Sequence, residues 1–388
     1  MTALPAGPRR SALLSALPYW VSLLSLPLAA LAAWLGGWWV LLLPAFSWLL
    51  FDILDVVGGV DRSNPDPETP ESELVWHTRL TRIWAPVQAL MTFGLIAYAT
   101  RATHLGGWEK FGLVVGQGIV SGAVGIVYAH ELLHQRDRVE RWLGDILLAM
   151  VLYSHFRSHH LRVHHLHVGT PADVVTARYN EGFHRYFARV LWRSPRDAWR
   201  AERKLLGRGG LTMRSRRNPF WRYAALQALM LALAFTLGGA EGLLLFTGQA
   251  FVAVWQLELV NYIEHYGLTR KHLGEGRYEP VRPHHSWNAE QRASNRLLIN
   301  LQRHSDHHFK PERRYPLLQT YPESQAPLLP QGYPAMGVAA LIPPVWRRLM
   351  NKRVRAWRRL HYPEITDWTP YKTGALPLPR GAKPTRAI

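Results

Sequence analysis

The chain carries no charged residue from Ser11 to Phe51. A bilayer span takes about 20 apolar residues, so this run is long enough for two helices. Gly36 and Gly37 lie at its midpoint, where a tight reversal is easiest to make, and spans are expected at 12–34 and 38–57. Further uncharged runs occupy Ile83 to Thr100, Phe111 to Ala129, Tyr223 to Ala240 and Gly242 to Leu257. Backbone polar groups in lipid must be satisfied internally, which favours helices. The pattern therefore predicts an all-α integral membrane protein with six transmembrane helices in three hairpins. A signal peptide would be shorter, with a small-residue cleavage site followed by soluble sequence. The stretch 328–350 is apolar but broken by Pro330, Pro334, Pro343 and Pro344, so it is expected to lie in the membrane interface or pack on the polar part of the protein. The last twenty residues, rich in Pro, Lys and Arg, read as a loosely ordered tail.

Charge orients these elements. Lys and Arg total 46 against 27 Asp and Glu, a formal net charge of +19. Seventeen of those cations lie between residues 131 and 219, whereas the short segments 35–37, 101–110 and 239–241 hold only Arg101 and Lys110. Cytoplasmic loops are enriched in Lys and Arg, so both termini and both long polar regions are expected on the cytoplasmic side. The chain then divides into four N-terminal transmembrane helices (1–130), a cytoplasmic histidine-rich region (131–219), a transmembrane hairpin (220–262) and a second cytoplasmic histidine-rich region with the C-terminal tail (263–388). Basicity spread over a membrane face, with no groove-reading motif, argues against nucleic acid as a partner. The 388 residues include no Cys, which excludes a disulfide framework, a thiolate zinc site, a cysteine-ligated iron–sulfur cluster and a thiol nucleophile.

Histidine gathers where the polar regions meet the spans. His130-Glu131-Leu132-Leu133-His134 ends the fourth span, and a spacing of four puts both imidazoles on one helical face. A second patch runs through His155, His159, His160, His164, His165 and His167. Helical spacing there places His160 with His164 and aims His165 at another quadrant. Asn261-Tyr262-Ile263-Glu264-His265 ends the sixth span, and Leu301-Gln302-Arg303-His304-Ser305-Asp306-His307-His308 forms the last patch. A closed zinc site takes four ligands, usually with Cys among them. Sulfur-free imidazole surroundings suit iron, copper, zinc or nickel, and this many ligands suits two metals. His77, His104, His184, His272 and His361 are read as capping or core residues.

On these motifs the chain resembles the integral-membrane alkane monooxygenases, within the membrane fatty acid desaturase and hydroxylase superfamily. The resemblance rests on residues 130–134, 261–268 and 301–308, on the loop Phe51 to Glu68 with Asp55, Asp61, Asn64 and Pro65, and on His285-Ser286-Trp287-Asn288 and Gly332-Tyr333-Pro334. It implies nine ligands to two non-haem irons: His130, His134, His160, His164, His165, His265, His304, His307 and His308. It also implies a bacterial-type inner membrane, with dioxygen as co-substrate. Where the family has Glu and Gly in its second motif this chain has His159 and Val163, and Thr170-Pro171-Ala172-Asp173 differs from the usual Thr-Pro-Glu-Asp.

Side chains alone cannot oxidise an unactivated C–H bond, so a redox metal must supply that step. Glu131, Glu264 and Asp306 sit beside ligands in sequence, and with Glu258 and His159 they are expected to orient imidazole N–H groups from outside. The expected activity is insertion of one oxygen of O2 into a terminal C–H bond of an alkane or related hydrocarbon dissolved in the bilayer, with Trp48 and Phe51 limiting the depth of the substrate channel. Alternatives are a fatty-acyl desaturase or hydroxylase, an aryl or terpene methyl hydroxylase and, outside enzymes, a metal transporter. The chain has no nucleotide fingerprint and, without Cys, no fused rubredoxin, so electrons are expected from elsewhere; the resemblance implies a separate rubredoxin with its NAD(P)H-dependent flavoprotein reductase. Such carriers are acidic, and the basic face around Arg136, Arg138, Arg162 and residues 193–217 would attract one.

Overall fold

The computed structural model describes residues 8–382, with only the backbone described for residues 8–11. The described chain is helical, with three isolated β-bridges and no strand. Its membrane-type helices are α1 (Ala12–Leu35), α2 (Gly37–Gly58), α3 (Val75–Ala99) and α4 (Gly107–His134). The polar helices α5 (Arg138–Met150), α6 (residues 156–167) and α7 (Phe183–Arg208) follow. The long α8 (Pro219–His265) returns to the apolar part. The C-terminal third holds α9 (Arg292–Leu297), α10 (His304–Phe309), α11 (Tyr333–Leu341), α12 (Pro343–His361) and α13 (Thr369–Thr373).

Five of these helices, α1 to α4 and α8, are long and apolar enough to cross a membrane. The fifth and sixth expected spans are both in α8, whose 47 residues are two helices meeting at Gly239 (φ 59°, ψ −144°). The first reversal is likewise made by glycine in the left-handed region, with Gly36 at φ 60°. Only a residue without Cβ takes that backbone at little cost.

The helices that carry the chemistry pack through small residues. A Cβ added to Gly118 of α4 would lie 2.5 Å from Val252 Cβ, and one added to Gly122 would lie 2.7 Å from Gln256 Cβ and 2.8 Å from the Ala253 carbonyl. Residues four apart share a helical face, and such small-xxx-small stripes let membrane helices approach closely where no hydrophobic drive exists between them. The approach fixes the C-terminal ends of α4 and α8, which bear His130, His134 and His265.

The expected loop after α2 is a strap. Asp55 Oδ1 accepts from Ser294 N (2.9 Å), Asp61 pairs with Arg296 (2.9 Å), and Asn64 exchanges hydrogen bonds with Thr320 (3.0 and 2.7 Å). It ties the second span to the segment that presents α10. The proline-broken stretch forms α11 and the start of α12; α11 packs on α8 and α2, Trp346 lies against Tyr262, and Tyr333, Met336, Trp346 and Met350 are buried. Of the expected tail, residues 369–373 are helical, and residues 383–388 lie outside the described part.

Gly122→Val should cost about 1–3 kcal/mol by overpacking, read as a lower thermal unfolding midpoint in detergent. Gly94→Ala, where an added Cβ meets nothing within 4 Å, should leave that midpoint unchanged or raise it.

Candidate metal centre

Nine buried or half-buried imidazoles converge in two groups. His130, His134, His160, His165 and His307 form one; His164, His265, His304 and His308 form the other, with the donor atoms of each within 4.8 Å of one another. All nine residues expected as ligands are in these groups. His155, His159 and His167 of the second patch are in neither.

The sorting within α6 departs from helical spacing. Residues 160–164 form a π turn in which the His165 N–H donates to the His160 carbonyl. With i→i+5 bonding, residues five apart stack one above the other. His160 and His165 are therefore neighbours, their Nε2 atoms 2.9 Å apart, while His164 is released to the other group, 3.2 Å from His308 Nε2. The expected pairing of His160 with His164 assumed a regular α-helix and is corrected by this turn. In α4 and α10, where the helix is regular at the ligands, spacing of four does hold: His130 joins His134 and His304 joins His308.

The donor chemistry fits cations. In the first group His160 Nε2 lies 3.0 Å from His134 Nε2 and 2.9 Å from His165 Nε2, and His165 Nε2 lies 3.1 Å from His307 Nε2. In the second, His304 Nε2 is 3.1 Å from His265 Nε2 and 3.0 Å from His308 Nε2. A ring nitrogen carries one proton or one lone pair, so it cannot serve two such neighbours at once. Nitrogens each about 2.1 Å from a shared metal sit roughly 3.0–3.4 Å apart, as these do. His130 Nε2 is buried with no hydrogen-bond partner, as a lone pair reserved for a cation would be. Burial, then the neighbouring imidazoles, holds His160, His165, His304, His307 and His308 well below the usual histidine range. They are neutral at pH 7, the ligating form.

Two carboxylates reach the second group. Asp173 Oδ2 lies 2.9 Å from His164 Nδ1 and accepts from Thr176 Oγ1 (2.8 Å), while its Oδ1 accepts from Val175 N (3.0 Å). Glu264 Oε1 is 3.3 Å from His304 Nδ1 and accepts from Tyr333 Oη (3.0 Å). The other expected outer residues act elsewhere. Glu131 accepts from Gln135 (2.9 Å), and Asp306 takes Arg313, Tyr321 Oη and Gln319 N, anchoring the loop after α10. Glu258 is bound by Tyr153 (3.0 Å), Tyr186 and Asn261 (both 3.2 Å), seven residues from His265 and turned to a tyrosine pair. His159 is buried with its Nε2 unpartnered. Asp173 was missed as an orienting group; its signal was an acid six residues beyond a histidine patch.

A third set, Glu279, His284 and His285, is a hydrogen-bonded hub rather than a ligand set. His285 Nδ1 accepts from Arg282 N (2.9 Å), which leaves the proton on Nε2, 2.8 Å from Tyr362 Oη. His284 Nε2 meets the same hydroxyl at 3.1 Å, and Glu279 accepts from it.

An apolar pocket of about 430 Å³, counting its open mouth, lies between the apolar helices and α9 and α11. Trp48, Gln256, Leu259, Ile263, Leu298 and Tyr333 line it, and Trp48 Nε1 donates to Gln256 Oε1 (3.1 Å). Tyr333 connects this pocket to Glu264 and so to His304. Phe51 does not line it; its ring packs edge-on against Phe46 (5.3 Å between centroids) in the core.

A helical scaffold with histidine-only clusters at the ends of apolar helices defines the membrane desaturase class, and residues 106–339 match the fatty acid desaturase family. Alkane 1-monooxygenase 2 of Alcanivorax borkumensis is 38% identical over 353 residues, covering 88% of this chain and 90% of that protein. Alkane 1-monooxygenase 2 of Pseudomonas aeruginosa is 38% identical over 367 residues, covering 90% and 94%. The hydroxylase component of the xylene/toluene monooxygenase of Pseudomonas putida is 26% identical over 342 residues, covering 86% and 84%. The chain belongs to the alkane 1-monooxygenase family and is an oxidoreductase.

Removing the Asp173 acceptor while keeping its shape, in Asp173→Asn, should weaken metal retention 10–100-fold, measured as metal per chain after a chelator challenge. Glu258→Gln, whose partners are tyrosines and an asparagine, should retain metal like the unaltered protein.

Proposed function

We propose that the protein is a di-iron membrane monooxygenase that inserts one oxygen of O2 into a terminal C–H bond of an alkane or related hydrocarbon. The observation that carries this reading is the convergence of five and four imidazole donors beside an apolar pocket. On this reading His130, His134, His160, His165 and His307 hold one iron, and His164, His265, His304 and His308 hold the other. The irons supply the redox chemistry that no side chain can. The overall change consumes RH, O2, two electrons and two protons and yields ROH and H2O.

The residues have the remaining tasks. Asp173 holds the His164 ring in orientation by its Nδ1 edge, and Glu264 lies 3.3 Å from His304 Nδ1 as a charge beside that ring. Tyr333, with its hydroxyl on Glu264 and its ring on the pocket wall, closes the inner end of the channel and excludes water. Trp48 narrows the middle of the channel, held by Gln256. An apolar chain enters from the bilayer and presents its end to the metal side.

The proposed topology has six spans in three hairpins, both termini and both histidine-rich regions in the cytoplasm, and the inner membrane as location. Gly239 in α8 and the cation-poor short segments support it, and the proposed division of the chain at 130, 219 and 262 goes with it. Electrons come from a separate rubredoxin served by a flavoprotein reductase, since the chain has no Cys to hold an iron–sulfur centre. The resemblance to a xylene/toluene hydroxylase component keeps an aryl methyl group as the second substrate class.

Whole-cell conversion of octane, hexadecane, xylene and an acyl lipid tests the reading. Primary alcohols from the hydrocarbons are expected, with about two irons per purified chain; exclusive formation of unsaturated lipid overturns it. Trp48→Ala should shift the product distribution toward longer alkanes. Turnover with an acidic rubredoxin should fall as ionic strength rises from about 0.01 to 0.15 M, where the screening length shortens from about 30 to 8 Å; salt-insensitive turnover would sink electrostatic docking.

A further inference from the structure

A polar cavity outside the metal centre has Asp173, the partner of His164, in its wall. It measures about 630 Å³ with its mouth, and its wall is made by the loop 169–178, by Arg189, Arg193 and Asp197 of α7, by Thr269 and Tyr278, and by Tyr371 and Gly374 near the C-terminus. Its hydrogen-bonding capacity is unbalanced. Arg189 is paired with Glu181 (2.9 and 2.7 Å), Asp197 with Arg200 (3.1 Å), and Asp173 with His164, Thr176 and Val175 N. Tyr278 Oη donates to the Pro377 carbonyl (2.7 Å). Both carboxylates on the wall are thus engaged.

What is left over is donors. Neither Arg178 nor Arg193 has an ion pair or side-chain hydrogen bond among the described residues, and both are half-buried. Burial and then the neighbouring Arg189 cation hold Arg178 below the usual arginine range, with Glu181 offsetting them in part. Thr269 Oγ1 is buried without a partner. Tyr371 Oη accepts from His272 N (3.1 Å), so its own proton is free. Two guanidinium groups and two hydroxyls facing one concave space match a tetrahedral oxyanion, which offers acceptors in several directions and takes arginine with charge assistance.

We propose that this cavity is a binding site for a phosphoryl anion. The neighbouring surface favours a lipid headgroup over free phosphate as its source. On α7, Trp192 and Trp199 are exposed, Arg196 lies over the Trp192 ring at 3.6 Å, and Arg200, Arg203 and Lys204 continue the basic face. A helix with exposed Trp and a cationic face lies in the headgroup layer. The bound phosphoryl group bridges the loop 169–178 to α7 and the C-terminal segment, stiffening the loop whose Asp173 holds His164.

The test uses the full-length, metal-loaded protein in detergent, titrated with inorganic phosphate against chloride at constant ionic strength, and separately returned to nanodiscs of phosphatidylglycerol or of an uncharged glycolipid. Saturable stabilisation is expected, a rise of about 3 °C in the tryptophan-fluorescence unfolding midpoint. Stabilisation by the phospholipid alone supports the site with a lipid source, and stabilisation by inorganic phosphate alone supports it with a free one. In the Arg178→Gln/Arg193→Gln variant, and independently in Thr269→Val, the half-saturating concentration should rise at least tenfold and threefold respectively. Absence of any saturable effect on the unaltered protein, or an unchanged half-saturation in variants that fold, overturns the proposal.

Discussion

Bringing nine imidazoles out of water, unprotonated, to two points is the constraint from which the rest of this structure follows. Burial favours the neutral form of each ring, and each neighbouring ring adds to the penalty against a proton. The result is a set of Nε2 lone pairs about 3 Å apart that can be reconciled with one another only through cations. The same burial that makes the rings good ligands would make the apo site a destabilising feature. The scaffold must therefore be rigid enough to hold it.

Rigidity comes from three devices. Small residues on α4 let α8 approach until added Cβ atoms would collide, so the helix ends bearing His130, His134 and His265 have little freedom. The π turn over His160–His164 pairs His160 with His165 and sends His164 to the other group, where regular spacing would have kept His160 with His164. The strap from Asp55 to Asn64 holds the segment that carries His304, His307 and His308, through Ser294, Arg296 and Thr320. Each device acts at a distance from the metal positions, and each trades conformational freedom for a fixed ligand set.

These devices explain what was legible beforehand. Uncharged runs fix where helices are, because charge is excluded from lipid; the reversal at Gly36 follows from its backbone. The nine histidines could be named from motif likeness, but their division into five and four could not be, because it depends on a π turn that side-chain spacing does not encode. Glu258, near the end of an apolar run, reads as a carboxylate that orients an imidazole, yet it is bound by Tyr153 and Tyr186. Asp173 was overlooked for the opposite reason: it reaches His164 only because the loop 168–176 folds back, with Gly169 N donating to Thr176 Oγ1 (2.8 Å). Phe51 and Trp48 lie three apart in one helix, but the π turn at Ala45–Leu50 separates them, one to the core and one to the pocket.

The two histidine groups are chemically unequal. The first has five imidazoles, and none of the described side-chain carboxylates lies at a ring nitrogen of its members. The second has four, with Asp173 at His164 and Glu264 near His304. A carboxylate on the far nitrogen raises the basicity of the ligating one, so fewer but stronger donors serve that position. Tyr333, in the wall of the apolar pocket, donates to Glu264. The Tyr333–Glu264 hydrogen bond thus joins the pocket wall to the group that has carboxylates at its outer edge.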